Sequence, residues 1–306
     1  MNTPAYVNAH THLELGMLAE LCPDGQPFVE WLLGMLPLRA QITSADYQRA
    51  IEAGIAALVE SGTVAVGDIS STGWSVEPLL QSGLAGVVYY EVLGMDPAVS
   101  LPRLDEARRR IDAWRRREGR MRVGLSVHAP YSCAPALFEA ATAWCLAEDV
   151  PLAIHIAESP AEVEFVRAAA GPLLELGRRF TPHITWEPPQ CSPIQYLHRL
   201  GVLEARPQLI HAVQIDEDDL ALIAASGSAV VHCPRSNANL LCGRMPLERY
   251  LHHGIVVGLG TDSLASAQSL DIAAELEFAR ELHGPRVSEQ SLLELATTGG
   301  LAALGI

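Results

Sequence analysis

Eight short runs of β-branched and apolar residues, separated by longer stretches with helical periodicity, set the layout of this 306-residue chain. The runs are 5–10 (AYVNAH), 64–69, 86–93, 121–128, 152–156, 208–212, 229–233 and 255–261. Helical stretches fall at 45–61, 102–118, 134–149, 161–179, 216–226 and 246–253, with 271–283 and 288–304 after the last run. Strand–helix alternation of this kind specifies a parallel sheet with right-handed crossovers. Eight repeats predict closure into an α/β fold of the (β/α)8 TIM barrel type; an open doubly wound sheet is the other arrangement the pattern allows. No linker, internal repeat or low-complexity tract interrupts the alternation, so residues 1–306 read as one domain. Two connections are long, 13–63 and 157–207. They are expected to form lids or substrate-binding segments over the strands' C-terminal ends, where barrel active sites lie.

Charge narrows the partners. A formal net charge of −15 argues against nucleic acid and against anionic membrane. The one basic run, RLDEARRRIDAWRRREGR, interleaves arginine with Leu104, Ile111 and Trp114 at helical spacing, the pattern of an amphipathic helix with a solvated face. All 21 cationic residues are arginine. That rules out a lysine Schiff base, a Walker lysine and a carbamylated lysine bridging two metals. Six scattered cysteines with no C-x-x-C pair are expected to be reduced and buried. No secretory pattern opens the chain and no apolar run approaches ~20 residues, so a cytoplasmic protein is expected.

Against that frame the stretch VNAHTHLEL, residues 7–15, sets His10 and His12 two positions apart. In a strand such residues share a face, and two imidazoles on one face are half of a metal site. His128 closes the fourth run, His155 lies in the fifth and His211 ends the sixth. Glu158 follows His155 by three residues in HIAES, and Asp262 follows the eighth run in GLGTDS. All fall at C-terminal strand ends, so a closed barrel gathers them around one axis. A single histidine is more often a hydrogen-bonded structural residue than a ligand; the shared placement reverses that reading. Histidines with one carboxylate suit a first-row divalent ion, zinc being the usual occupant. Gly258 and Gly260 are expected to leave room beside the ion. His232 reads as packing, and His183, His198, His252, His253 and His283 as solvated or structural. Asp68, at the end of the second run, could touch the site or cap a helix.

The ordered segments NAHTH, HAPYS, HIAES, LIHAV, CPRSN and GTDSLAS resemble the amidohydrolase superfamily, most of all its mononuclear zinc deaminases of adenine-type nucleosides. PFVEWL, TVAVGDISSTG, GVVYYEVLG and PAEVEFV resemble the aminofutalosine deaminases of menaquinone biosynthesis within that branch. The resemblance implies a metal-dependent hydrolase barrel holding one zinc, or one iron, through His10, His12, His155 and Asp262. It implies His211 as a catalytic group beside the reacting water, Glu158 as the proton shuttle to the purine ring, and Asp262 as acceptor of the water's proton. His128 and Ser132 fall where relatives contact substrate, Glu14 is a first-loop candidate, and Ser236 and Asn237 are expected to support the floor. Relatives usually carry a small β-sandwich built from residues flanking the barrel; here it is expected to be absent or trimmed.

The expected partner is a small-molecule 6-aminopurine nucleoside, with a homo-oligomer left open. An aminofutalosine-type substrate carries a carboxylate at its far end, and Arg235, Arg39 and Arg244 are the candidate partners. Adenosine, methylthioadenosine and S-adenosylhomocysteine share the reacting ring and differ at the 5′ end. A chlorohydrolase on the same scaffold and a non-catalytic zinc-binding protein are the readings from other classes.

Overall fold

The structure, a computed structural model, describes residues 5–306. Its strands are β1 (Tyr6–Thr11), β2 (Thr63–Ser70), β3 (Ala85–Val92), β4 (Met121–Val127), β5 (Leu152–Ile156), β6 (Gln208–His211), β7 (Val230–His232) and β8 (Val257–Leu259). Each pairs in parallel with the next, in chain order. The ends meet through a parallel bridge between Thr11 and Asp262, whose amide donates to the His10 carbonyl at 3.0 Å. The sheet is therefore a (β/α)8 TIM barrel and not the open doubly wound alternative. Among the described residues no second sheet accompanies it.

Period-two alternation builds the barrel's two cores. Val7, Ala9, Ala65, Ile69, Val87, Tyr89, Ala153, Ile210, Val231 and Cys233 fill the axis. Their neighbours, such as Val66, Val88, Leu125, Ile154, Leu209 and Val257, pack outward under the helices. The C-terminal helix closes the floor: Ala303 and Leu304 join the axial cluster, and the Gln208 side chain donates to the Ala303 carbonyl at 3.1 Å.

Helices α1 (Phe28–Arg39), α2 (Ser44–Glu60), α3 (Val76–Gln81), α4 (Pro97–Arg115) and α5 (Pro135–Glu148) serve the first half. The second half carries α6 (Pro160–Ala168), α7 (Pro172–Phe180), α8 (Pro193–Arg199), α9 (Glu217–Ser226), α10 (Pro234–Asn239), α11 (Leu247–His252), α12 (Leu264–Ala267), α13 (Ile272–His283), α14 (Glu289–Leu295) and α15 (Thr298–Ala303). The basic run is indeed amphipathic: Leu104, Ala107 and Ile111 of α4 are fully buried and its arginines face out. Burying each Leu or Ile contributes about 1.5–3 kcal/mol. Two expected helices are broken. Left-handed Ala169, Gly171 at φ +81° and then Pro172 split 161–179 into α6 and α7, and Thr297 divides 288–304. Both long connections are largely helical, not loops, which matters for the site. No helix among the described residues is long and apolar enough to cross a membrane, and all six cysteines are free and buried.

Candidate active site

The metal-site residues converge because β1 breaks its own rhythm. Between Asn8 and Thr11 β1 advances three residues while β2 advances two, from Val66 to Asp68, so β1 carries a bulge. Val7 and Ala9 face the axis below it; His10 and His12 face the axis at and above it. The His12 Nε2 atom lies 3.1 Å from His155 Nε2, and Asp262 Oδ1 lies 3.4 Å from His10 Nε2 and 3.6 Å from His12 Nε2. Potential donor atoms of His10, His12 and His155 all lie within 4.8 Å of one another, as do those of His10, His211 and Asp262.

This cluster fits a cation on its own chemistry. Both ring nitrogens of His10 are buried without a hydrogen-bond partner, a costly state for an imidazole unless a positive ion takes one of them. Burial, reinforced by the neighbouring histidines, holds His12 and His155 well below the usual imidazole pKa, so they present uncharged nitrogens. Burial also pushes His211 down to about 3, against the pull of Asp262. Burial alone would raise the Asp262 pKa; the His10 ring 3.4 Å away, with the rings of His12 and His211 close by, outweighs it and lowers the value well below that of an ordinary carboxylate. Neutral imidazoles with one carboxylate are the donor set of a first-row divalent site.

A shell of hydrogen bonds fixes the donors. Ser236 and Ser266 hydroxyls donate to Asp262 Oδ2 at 2.6 and 2.9 Å, and the Asn237 amide reaches His211 Nδ1 at 3.1 Å. Asp68 accepts from the Leu13 amide and the Thr11 hydroxyl on either side of His12, and from Ser75. Asn8 and Thr261 bond reciprocally across the β1–β8 seam at 2.8 and 3.0 Å. His211 and Asp262 stand at φ +71° and +62°, strained conformations for non-glycine residues, at the point where each leaves its strand. Gly260 does not make room for an ion as expected. A Cβ there would lie 2.8 Å from His10 Cβ, so its bareness admits His10 itself.

Glu158 sits across from this cluster, 96% buried, with Oε1 3.5 Å from His211 Nε2. Burial, then the charges of Asp262 and Glu162, push its pKa well above the ordinary carboxylate value, toward the protonated form. The turn that carries it is clamped by Glu162, which accepts from the Ala157 and Glu158 amides at 2.9 Å each. Sequence reading missed Glu162, although Ser159-Pro-Ala-Glu162 has capping-box spacing, and the Ser159 hydroxyl does accept from the Glu162 amide.

His12, His155, His211, Asp262 and Glu158 open into one cavity of about 560 Å³. One wall is a stripe of α1 at helical spacing, Phe28, Trp31, Leu32, Met35, Leu36 and Arg39; another is Leu173, Leu176, Gly177 and Phe180 of α7. His128, Ser132, Glu91 and Ser71 complete it on the β3–β4 side. His128 Nδ1 meets the Ser132 hydroxyl at 2.6 Å. Three expected contacts are not brought here. Glu14 is buried and turned away, accepting from Ser70, Thr72, Trp74 and Ser75, so it organises the loop after β2 and is neither solvated nor a substrate contact. Arg235 lies outside the cavity lining, its backbone amide donating to buried Glu275, and Arg244 is paired with Glu248. Arg39 and, at the rim, Arg103 and His183 line the cavity instead. A residue facing a pocket leaves no local sequence mark, which is why Arg103 and Glu91 went unread; His183, read as solvated or structural, lines the cavity beside Asp96.

The amidohydrolase family model matches residues 1–306. Aminodeoxyfutalosine deaminase of Deinococcus radiodurans is 36% identical over 311 residues, covering 99% of this chain and 73% of its own length. A 5-methylthioadenosine/S-adenosylhomocysteine deaminase of Syntrophobacter fumaroxidans is 31% identical over 99% of this chain and 67% of its own. Among solved structures, Helicobacter pylori aminofutalosine deaminase in complex with methylthio-coformycin superposes with a TM-score of 0.87 at 26% identity, covering 99% of this chain and 74% of that one. An adenosine deaminase from Xanthomonas campestris with bound zinc gives 0.80 at 25% identity, covering 99% and 67%.

Proposed function

Because this chain belongs to the amidohydrolase family, we propose that it is a zinc-dependent aminohydrolase converting a 6-aminopurine nucleoside to the 6-oxo nucleoside and ammonia. Aminodeoxyfutalosine is the substrate we assign, with a place in menaquinone biosynthesis, and the similarity to aminodeoxyfutalosine deaminase supports it. His10, His12, His155 and Asp262 would hold the ion, whose chemistry when bound is to make water nucleophilic at neutral pH. The observation that carries the reading is a buried carboxyl group, Glu158, 3.5 Å from His211 and opening into the same cavity as that donor set.

Each residue then has a task. Glu158 donates its proton to the ring nitrogen beside the amine-bearing carbon and draws electron density away from that carbon. Asp262, kept ionised and aimed by Ser236 and Ser266, takes a proton from the attacking water and returns it to the departing amine. His211 stabilises the oxygen as charge develops, with Asn237 fixing its ring. The apolar stripe of α1 packs the nucleoside, and Arg39 and Arg103 meet an anionic far end. A set of buried free cysteines suits the reducing cytoplasm.

Ammonia release from zinc-loaded protein is the test, run against aminodeoxyfutalosine, methylthioadenosine, S-adenosylhomocysteine and adenosine. The highest kcat/KM is expected for aminodeoxyfutalosine. A preference for methylthioadenosine or S-adenosylhomocysteine would move the chain to the second similar group, and chloride release from a chlorinated heteroaromatic probe, with no ammonia from any of the four nucleosides, would end the reading.

A further inference from the structure

Glu91 has no task in the chemistry above, yet it occupies the cavity. It continues the inward row of β3 after Val87 and Tyr89, so its carboxylate emerges from the axial core into the substrate space. It is 92% buried. Ser71 donates to Oε2 at 2.8 Å, while Oε1 is buried with no hydrogen-bond partner, and no ion pair to Glu91 occurs among the described residues. A buried carboxylate oxygen left bare is costly unless something that enters the cavity donates to it.

We propose that Glu91 is a specificity-determining residue that accepts hydrogen bonds from the vicinal 2′ and 3′ hydroxyls of the ribose. The inference rests on the nucleoside reading above and deepens it. The ligand must be a donor, because the bare Oε1 is an acceptor. It is not a carboxylate, which Glu91 would repel, so the anionic end of the substrate is directed elsewhere. A second cation is the competing occupant, since donor atoms of Glu91, His128 and His155 lie within 4.8 Å of one another. Both nitrogens of His155 are already engaged, Nε2 beside His12 Nε2 at 3.1 Å and Nδ1 beside the His128 carbonyl at 3.3 Å, which favours the diol.

The test pairs substrate and protein changes in zinc-loaded enzyme. Adenosine is compared with 2′,3′-dideoxyadenosine for kcat/KM, and inosine with 2′,3′-dideoxyinosine for binding by calorimetry, in wild type, Glu91→Gln and Glu91→Ala. Wild type is expected to favour the diol about 10- to 100-fold, as a charge-assisted hydrogen bond allows. The gap should fall below about 3-fold in Glu91→Ala, with the loss falling on KM more than on kcat and zinc content unchanged. Equal treatment of diol and dideoxy forms by wild type, or a full gap surviving in Glu91→Ala, overturns the assignment. So does a drop from two metals per chain to one in Glu91→Gln. Diol-dependent inosine binding without any deamination would uphold Glu91 and overturn the deaminase reading; deamination without a diol gap would do the reverse. Absence of inosine binding overturns both.

Discussion

At the scale of single residues the site works by separating the protonation states of two carboxyl groups that share one cavity. The imidazoles around Asp262 push its pKa down, while burial and the charges of Asp262 and Glu162 push that of Glu158 up. Glu158→Gln is therefore expected to retain zinc, by elemental analysis, while kcat falls about 10²- to 10⁴-fold. Since only the protonated form donates, kcat/KM should hold below the raised pKa of Glu158 and decline above it. That alkaline limb should vanish in Glu158→Gln. His12→Asn, by contrast, should lower zinc content itself; full stoichiometry would remove His12 from the ligand set. Glu162 acts through its neighbour: its charge raises Glu158, and its oxygens hold the Glu158 amide. Glu162→Gln should shift the alkaline limb to lower pH and leave zinc in place, a change that a purely structural role would not produce.

At the scale of elements the strands were legible and their terminations were not. Val, Ile and Leu at alternate positions mark β2 through β6 nearly to the residue, and the polar residues at their C-terminal ends could be placed by counting. The bulge in β1 could not, because the hydrophobic pattern of AYVNAH is compatible with a regular strand; tertiary pairing with β2 creates the irregularity. The same holds for the positive φ of His211 and Asp262, which closure imposes on residues that do not favour it. The α1 stripe at 28, 31, 32, 35, 36 and 39 was present in the sequence as a period of 3.6, but a pocket wall and a core-facing helix give the same signal. Glycine at 260 carries the sharpest element-level prediction. Gly260→Ala would press a methyl onto His10 Cβ at 2.8 Å and its amide at 2.9 Å. Zinc content and melting temperature should both fall, whereas Gly119→Ala, where nothing lies within 4 Å and the backbone is not left-handed, should leave zinc content unchanged.

At the scale of the whole molecule, buried carboxyls set a pH dependence of stability. Burial raises Glu162 to about 7 and Glu275 to about 8, above the 4.5 of an ordinary Glu. The folded state thus binds more protons than the unfolded chain between those values, and stability falls as pH rises through them. Buried His232 and His283 act oppositely, but their lowered values confine that effect to more acidic solution. Calorimetric Tm should decline from pH 6.5 to 8.5. Glu275→Gln should recover about 2–4 °C at pH 8.5 and change little at pH 5.5.

The seam between the first and last strands bears on how the enzyme comes into being. Thr11 bridges Asp262, and the residues on either side of that bridge supply donors from positions 10 and 262. A growing polypeptide on the ribosome therefore presents isolated imidazoles for most of its synthesis and acquires a chelating cage only when its eighth strand has emerged. Capture by the full donor set should therefore wait for the last strand to close on the first, and a fragment ending before Asp262 should hold its ion more weakly.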